Sequence, residues 1–381
     1  MVGPGRILIA GGGMAGLTLA AALQRRGIEP VLVERNTAWE AVGAGIAVQP
    51  NGMRALRALG IDTAVERAGA VLRRLLFCNH RGEVLCEIDL EVLWGDVGPF
   101  IGIERIKLQA ALRSAAEGTP CRLGTRVTAV NQSNGQVGVD FSDRSNGDYD
   151  LVVGADGISS TLRQLSLSAT PPVYGGQMAW RGIAPIRPGG LTSCSFGWAP
   201  VAFLGSARLA TGVPTVDGRT YDFGNVTGPR LQDPAQGRLG RLRDRFAKFG
   251  GLVQEYLASL EQDEQIHCGP IEWLELDEWR SGRVVLIGDA AHASSPMIGQ
   301  GGCMAMEDAV VLAEVLSSAH SIESALDAYV EGRRPRVGWV RQQSRAVGES
   351  VSLPARTRDA ALRERGGQMF RQRFTPLLAA P

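Results

Sequence analysis

An α/β fold is what the sequence predicts: a doubly wound, mostly parallel sheet, interrupted by an inserted β-sheet domain and followed by a helical C-terminus. Three observations predict it. A βαβ unit opens at residue 6, with a glycine-rich turn between its first strand and its helix. Two more buried-strand runs, at 151–154 and 284–288, each lead into a turn built on Gly and Asp. Around them the patterning changes, to β-branched and aromatic residues at 73–90 and about 172–226 and to a long Arg-rich helical run from about 322.

The elements follow in order. Arg6-Ile7-Leu8-Ile9-Ala10 is a short apolar run, the pattern of a parallel strand covered on both faces. Leu17 to Arg26 reads as an amphipathic helix ended near Gly27, and Pro30-Val31-Leu32-Val33-Glu34 as the second strand. Cys194-Ser195-Phe196-Gly197-Trp198 and Arg219-Thr220-Tyr221-Asp222-Phe223 read as antiparallel strands of a second domain. Residues 303–317 return to a helix. The division expected is a discontinuous nucleotide domain from 1–72, 98–171 and 270–330, a β-rich domain from 73–97 and 172–269, and a helical region over 331–381.

Composition excludes several function classes. The 381 residues carry a net charge of +1, so no global field draws the chain onto nucleic acid or an anionic membrane. The Arg-rich C-terminal stretch reads as solvated helix faces rather than a nucleic-acid surface. Six cysteines are scattered with no CxxC pair, and no His stands at zinc-ligand spacing, so no metal site is expected and a reducing cytoplasm is the expected compartment. The apolar run from Ile7 to Ala22 is too short and too glycine-broken to span a bilayer.

Three motifs carry chemistry. Gly11-Gly12-Gly13-Met14-Ala15-Gly16 satisfies GxGxxG. Gly11 permits the tight turn, Gly13 lets the backbone approach a pyrophosphate, and Gly16 lets helix and strand pack closely. The helix N-terminus then faces the phosphates with its partial positive charge. Glu34, followed by Arg35, closes the second strand at the spacing of a carboxylate that bonds a ribose. The second motif is Ala155-Asp156-Gly157 after a strand, with Ser160 and Arg163 downstream; alone it would read as an ordinary Asp-Gly turn. The third is Gly288-Asp289-Ala290-Ala291-His292, continued by Pro296-Met297-Ile298-Gly299-Gln300-Gly301-Gly302-Cys303. Its Asp suits a ribityl hydroxyl, and the free amides of the following helix suit negative charge on a bound flavin ring. His292 and Cys303 read as structural members of this motif.

These motifs, in this order and over 6–345, resemble the FAD-dependent aromatic hydroxylases of the p-hydroxybenzoate hydroxylase type. The resemblance implies a Rossmann-like FAD-binding domain and a monooxygenase that uses NAD(P)H and O2 to hydroxylate a small aromatic or heteroaromatic substrate through a flavin C4a-hydroperoxide. It implies that Arg105 contacts FAD, that the backbone of Val127 meets the adenine, and that the loop Gly43-Ala44-Gly45-Ile46 lies near the flavin. NAD(P)H binds transiently in such enzymes, in keeping with a single GxGxxG. The stretches 299–308 and 42–52 resemble the FAD-dependent urate hydroxylases most, which places Arg208 and Tyr221 over the substrate. Met178, Trp180, Phe203, Phe223 and Met297 are candidates for the pocket wall. A monomer or homodimer is expected, with no nucleic-acid or membrane partner. Two rivals remain: a related flavoenzyme doing epoxidation or antibiotic inactivation, and a non-catalytic FAD-binding redox sensor. Lysine occurs only at Lys107 and Lys248, which weighs against halogenases of related fold.

Overall fold

Burial on both faces selects the central strands. In the computed structural model, which describes residues 5–39, 45–184, 194–199, 202–208 and 219–381, all four residues of Ile7–Ala10 and of Leu151–Gly154 are buried. Only the backbone is described at 194–199 and 202–208. The first strand lies between two parallel neighbours, Pro30–Glu34 and Leu151–Gly154. Cys121–Leu123 extends the sheet beyond Pro30–Glu34, and Val284–Leu286 extends it beyond Leu151–Gly154, both parallel. The short strand Arg280–Ser281 closes that edge antiparallel.

The first helix, Met14–Gln24, starts three residues earlier than the apolar periodicity suggests. The glycine turn therefore sits directly on the helix N-terminus, with Gly13 as the N-cap in extended conformation. A three-stranded antiparallel meander, Val127–Ser133, Gln136–Phe141 and Asn146–Tyr149, stands apart from the main sheet and was not read from the sequence. Gly45–Val48, expected as loop, is a strand paired antiparallel with Ile101–Glu104; residues 43 and 44 lie outside the described residues.

The second sheet has seven strands, in the order Ile266–Trp273, Val173–Ala184, Thr220–Thr227, Ala202–Arg208, Cys194–Ala199, Arg74–Asn79, Val84–Asp89. Helices Arg238–Arg245 and Leu252–Ser259 cover one face. Leu239, Leu242, Phe246, Tyr256 and Leu257 pack there against Met178 and Trp180 in a small separate core. Met178 and Trp180 are therefore core residues of the far face and not pocket wall. The chain ends in two long helices, Ile322–Ser350 and Ala355–Phe374. They are not merely solvated: Phe370 and Phe374 join the main core, with Phe370 against Phe77 and Phe374 against Trp94. Among the described residues no helix is long and apolar enough to cross a membrane.

Candidate active site

The glycine motif folds by close approach. Gly11 has φ +112°, and a Cβ there would meet the Ala155 carbonyl oxygen at 2.3 Å. A Cβ on Gly16 would stand 1.9 Å from the Gly11 carbonyl oxygen. Over Gly13 there is nothing within 4 Å, and Gly13 faces open space. Gly11 and Gly16 thus close the turn, while Gly13 leaves a track along it.

That track belongs to a cavity of about 330 Å³ at the C-terminal ends of the parallel strands. Gly11, Gly13, Met14, Glu34, Arg35, Val127 and Asp156 line it, with Arg105 at its margin. The Glu34 carboxylate accepts from the Gly12 amide at 2.7 Å and the Asn36 amide at 2.8 Å. Each oxygen keeps lone pairs for a further donor. Asp156 Oδ2 accepts from the amides of Thr161 at 2.7 Å and Leu162 at 3.1 Å, fixing the helix Thr161–Ser166. Its Oδ1 is buried with no partner. An orphaned acceptor costs desolvation free energy unless a donor arrives, so Oδ1 is placed for a ligand hydroxyl. An open glycine track at a helix N-terminus, two carboxylates and this orphaned acceptor fit the ADP half of a dinucleotide. Sequence reasoning missed Trp39, whose ring lies over Gly12 beneath the Arg113 guanidinium and lines the same cavity.

A second cavity, of about 660 Å³, adjoins the first; Met14 and Arg105 line both. Gly45, Asp289, Pro296, Gly299, Gly301 and Gly302 form one side. A Cβ on Gly302 would meet Ile46 at 3.0 Å and Met14 at 3.3 Å, so the first and third motifs converge here. Gly301 opens the 18-residue helix Gly301–Ser318, whose free amides face this side. Ala15, Gly16 and Gly288 are on neither cavity wall. They let the motifs pack: a Cβ on Gly288 would meet the Ala15 Cβ at 3.2 Å.

Tyr221 and Phe223 also line this cavity. The Tyr221 ring lies so close over Gly45 that a Cβ there would be 2.5 Å away. Burial raises the Tyr221 phenol above its ordinary pKa, against the pull of Arg181 and Arg105, so it stays a neutral donor. Arg181, not identified from sequence, lines the wall beside Phe223 with its guanidinium 5.4 Å from the ring centroid. His267 follows on the neighbouring strand; partial burial first, then Arg181 and Arg238, lower its pKa. Arg219 shares the face of Tyr221 but is paired with Glu104. Arg208 ends its strand opposite Thr220, beside the Ala207–Tyr221 pair; its side chain lies outside the described residues, as does that of Phe203.

A buried ionic network holds the third motif. Asp308 accepts from the Gly288 amide at 2.9 Å and from Arg333 Nε at 2.8 Å, and is 2.5 Å from His292 Nε2. His292 and Arg333 hold the Asp308 carboxyl down at about 2 although burial opposes them. Glu307 accepts from Arg333 and Arg336, and from Asn51, which also donates to Gln300 at 2.9 Å. Gln300 donates to Gln49, and Gln49 donates to the Ile298 carbonyl at 2.5 Å. Arg163, fully buried, donates to the carbonyls of Ile158 and Ala290 and so joins the second motif to the third. Cys303 is buried against Gly52 and burial pushes its thiol to about 12, which makes it packing and not a nucleophile.

Comparison with known proteins agrees with this geometry. A family model described as FAD binding domain matches residues 5–181 and 262–344. The aurachin C monooxygenase/isomerase of Stigmatella aurantiaca is 33% identical over 375 residues, covering 92% of this chain and 96% of the relative. A FAD-dependent urate hydroxylase of Mycolicibacterium vanbaalenii is 31% identical over 345 residues, covering 87% of this chain and 85% of the relative. The crystal structure of Klebsiella pneumoniae HpxO complexed with FAD and uric acid superposes with a TM-score of 0.87 at 28% identity, covering 98% of this chain and 96% of that one.

Proposed function

The chain belongs to the FAD binding domain family and is a FAD-dependent monooxygenase; from that premise we propose that it hydroxylates a small polar heteroaromatic ring held between the loop Pro296–Gly302 and Tyr221, with O2 as oxidant. The observation that carries this reading is the shared cavity. The loop with free helix amides forms one wall, and a neutral phenol, a guanidinium and an aromatic ring form the other. Bound FAD would supply the redox chemistry, with NAD(P)H as electron donor and O2 as oxidant. The protein does the rest. Glu34, Arg35, Val127 and Asp156, with Gly11, Gly13 and Met14, hold the ADP half; Arg105, Asp289, Gly45, Pro296, Gly299, Gly301 and Gly302 hold the ribityl chain and ring. The amides of the helix Gly301–Ser318 stabilise negative charge at the ring edge. Tyr221 donates to a ring oxygen or nitrogen of the substrate, and Arg208 and Arg181 favour an electron-rich or anionic ring. The apolar side chains Met14, Ile46, Phe223 and Met297 exclude water.

The same reading takes 1–72, 98–171 and 270–330 as the FAD-binding domain, with 73–97 and 172–269 as substrate domain and 331–381 as the helical region. The five described cysteines are free thiols, which supports a cytoplasmic setting, and a monomer or homodimer is the assembly we assign. The test uses Tyr221→Phe and Arg208→Gln holoenzymes, with urate and aurachin C as first probes. Both variants keep FAD and oxidise NAD(P)H, but lose substrate-stimulated flavin reduction or release H2O2 in place of product. Variants that couple oxidation to product as well as the parent refute the placement.

A further inference from the structure

The larger cavity is longer than the ring site requires. One rung of the seven-stranded sheet runs through His267, Arg181, Phe223, Gly205, Phe196 and Phe77 in register. His267, Arg181, Phe223 and Phe77 all line the cavity. Phe223 and Phe77 are three strand spacings apart, or roughly 14 Å. A cavity that reaches both is longer than one aromatic ring.

Its far end carries none of the flavin motifs. The strand Arg74–Asn79 gives Leu75 and Phe77, and the last helix, Ala355–Phe374, gives Leu362, Met369, Phe370 and Phe374. These are apolar walls, and Met369 and Leu353 are exposed at 38% and 44%, so the apolar lining continues to the surface. Within that lining stands one cation of a different kind from its neighbours. Arg358 is paired with Asp359, whereas Arg373 has no hydrogen bond or ion pair from its guanidinium among the described residues. Its Nε is buried, and desolvation alone lowers its pKa. A guanidinium kept unpaired on an apolar wall costs stability, which a ligand oxygen would offset on binding.

We propose that the far arm of this cavity is a second subsite, in which the strand Arg74–Asn79 and the last helix hold an apolar extension of the substrate and Arg373 binds a carboxylate or carbonyl oxygen on it. The inference rests on the ring site proposed above and names its substrate class: an amphiphile, not a compact polar ring. An alkyl chain or fused apolar body fills the arm, and the ring it carries reaches Tyr221.

Calorimetric titration of the FAD-loaded enzyme tests this with three probes: decanoate, decanol and benzoate. Decanoate binds more tightly than benzoate. Arg373→Met weakens decanoate by roughly 10- to 100-fold, the range for a charge-assisted hydrogen bond, and leaves decanol unchanged. Arg373→Met also keeps its flavin and melts no lower than the parent, because an unpaired, partly desolvated cation is removed. Met369→Glu, at an exposed position on the same helix face, repels decanoate and not decanol, and serves if Arg373→Met fails to fold. Decanoate binding no tighter than benzoate, or binding that neither variant weakens, overturns the subsite. If decanoate binding depends on Arg373 but no ring compound stimulates NAD(P)H oxidation, the ring-site reading fails and the subsite stands.

Discussion

Alanine at Gly13 and alanine at Gly16 add one methyl each, three residues apart, and the structure makes them opposite experiments. At Gly13 the methyl meets nothing within 4 Å, and φ −79°, ψ −170° suits any residue. The apoprotein is then unharmed, and the loss of glycine freedom in the unfolded chain adds about 0.4–1 kcal/mol of stability. The same methyl occupies the track we assign to the pyrophosphate, so the expected outcome is a fall in FAD affinity. Losing even one charge-assisted hydrogen bond of about 1.5–3 kcal/mol is roughly ten- to a hundredfold. At Gly16 the methyl would lie 1.9 Å from the Gly11 carbonyl oxygen, which is backbone and cannot swing aside. Helix and turn must separate, at about 1–3 kcal/mol or more for an overpacked core, and both folding and FAD binding suffer. Thermal melts of the apoproteins, with FAD titrations followed by flavin fluorescence, separate the two. A Gly13→Ala protein that binds FAD as the parent does would show that Gly13 does not face the pyrophosphate. A Gly16→Ala protein that melts with the parent would show that the close approach is dispensable.

Three further outcomes follow from the same contacts. Glu34→Ala leaves a folded protein with FAD affinity reduced about ten- to a hundredfold by equilibrium titration, since the carboxylate we assign to the ribose also ties down Gly12 and Asn36; unchanged affinity removes Glu34 from the site. Arg333→Met leaves Asp308 and Glu307 buried without their shared cation and costs about 3–5 kcal/mol in a urea titration, and adding Asp308→Asn recovers part of that loss; a strictly additive double variant refutes the network. The Asp308 carboxyl is depressed to about 2 in the folded state, so its stabilisation is complete above the unfolded carboxylate pKa of about 3.9 and is lost as pH falls toward 2. Urea midpoints of the parent should fall more steeply over that window than those of Asp308→Asn, and parallel slopes would assign acid lability elsewhere.

The nucleotide half was legible because its signals are local. A turn that needs φ +112° at Gly11, a strand buried on both faces and a carboxylate at the next strand end all show within 30 residues of sequence. The meander at 127–149 was missed although Val137, Val139 and Phe141 alternate on one buried face, because polar and glycine positions between them and mostly exposed or half-buried neighbours in Val127–Ser133 and Asn146–Tyr149 leave no continuous apolar run to read.

The pocket wall was legible only to within a choice of face. In Val173–Ala184 the alternation puts Met178 and Trp180 on one face and Arg181 on the other, and apolar character pointed to the first pair as the wall. Helices Arg238–Arg245 and Leu252–Ser259 reverse that choice by covering the Met178–Trp180 face, which leaves the arginine to the cavity. The last helix repeats the lesson. Leu362, Gly366, Met369, Phe370 and Arg373 recur at three- and four-residue spacing and so share a face, yet the many arginines around them read as a solvated surface. What turns that face into a cavity wall is the sheet edge it packs against: a Cβ on Gly366 would meet Cys86 Sγ at 2.8 Å. A helix held that closely to Val84–Asp89 must carry its neighbouring turns over Leu75 and Phe77. Arg373, one residue before Phe374 and its contact with Trp94, is thereby placed on the cavity wall with its Nε buried.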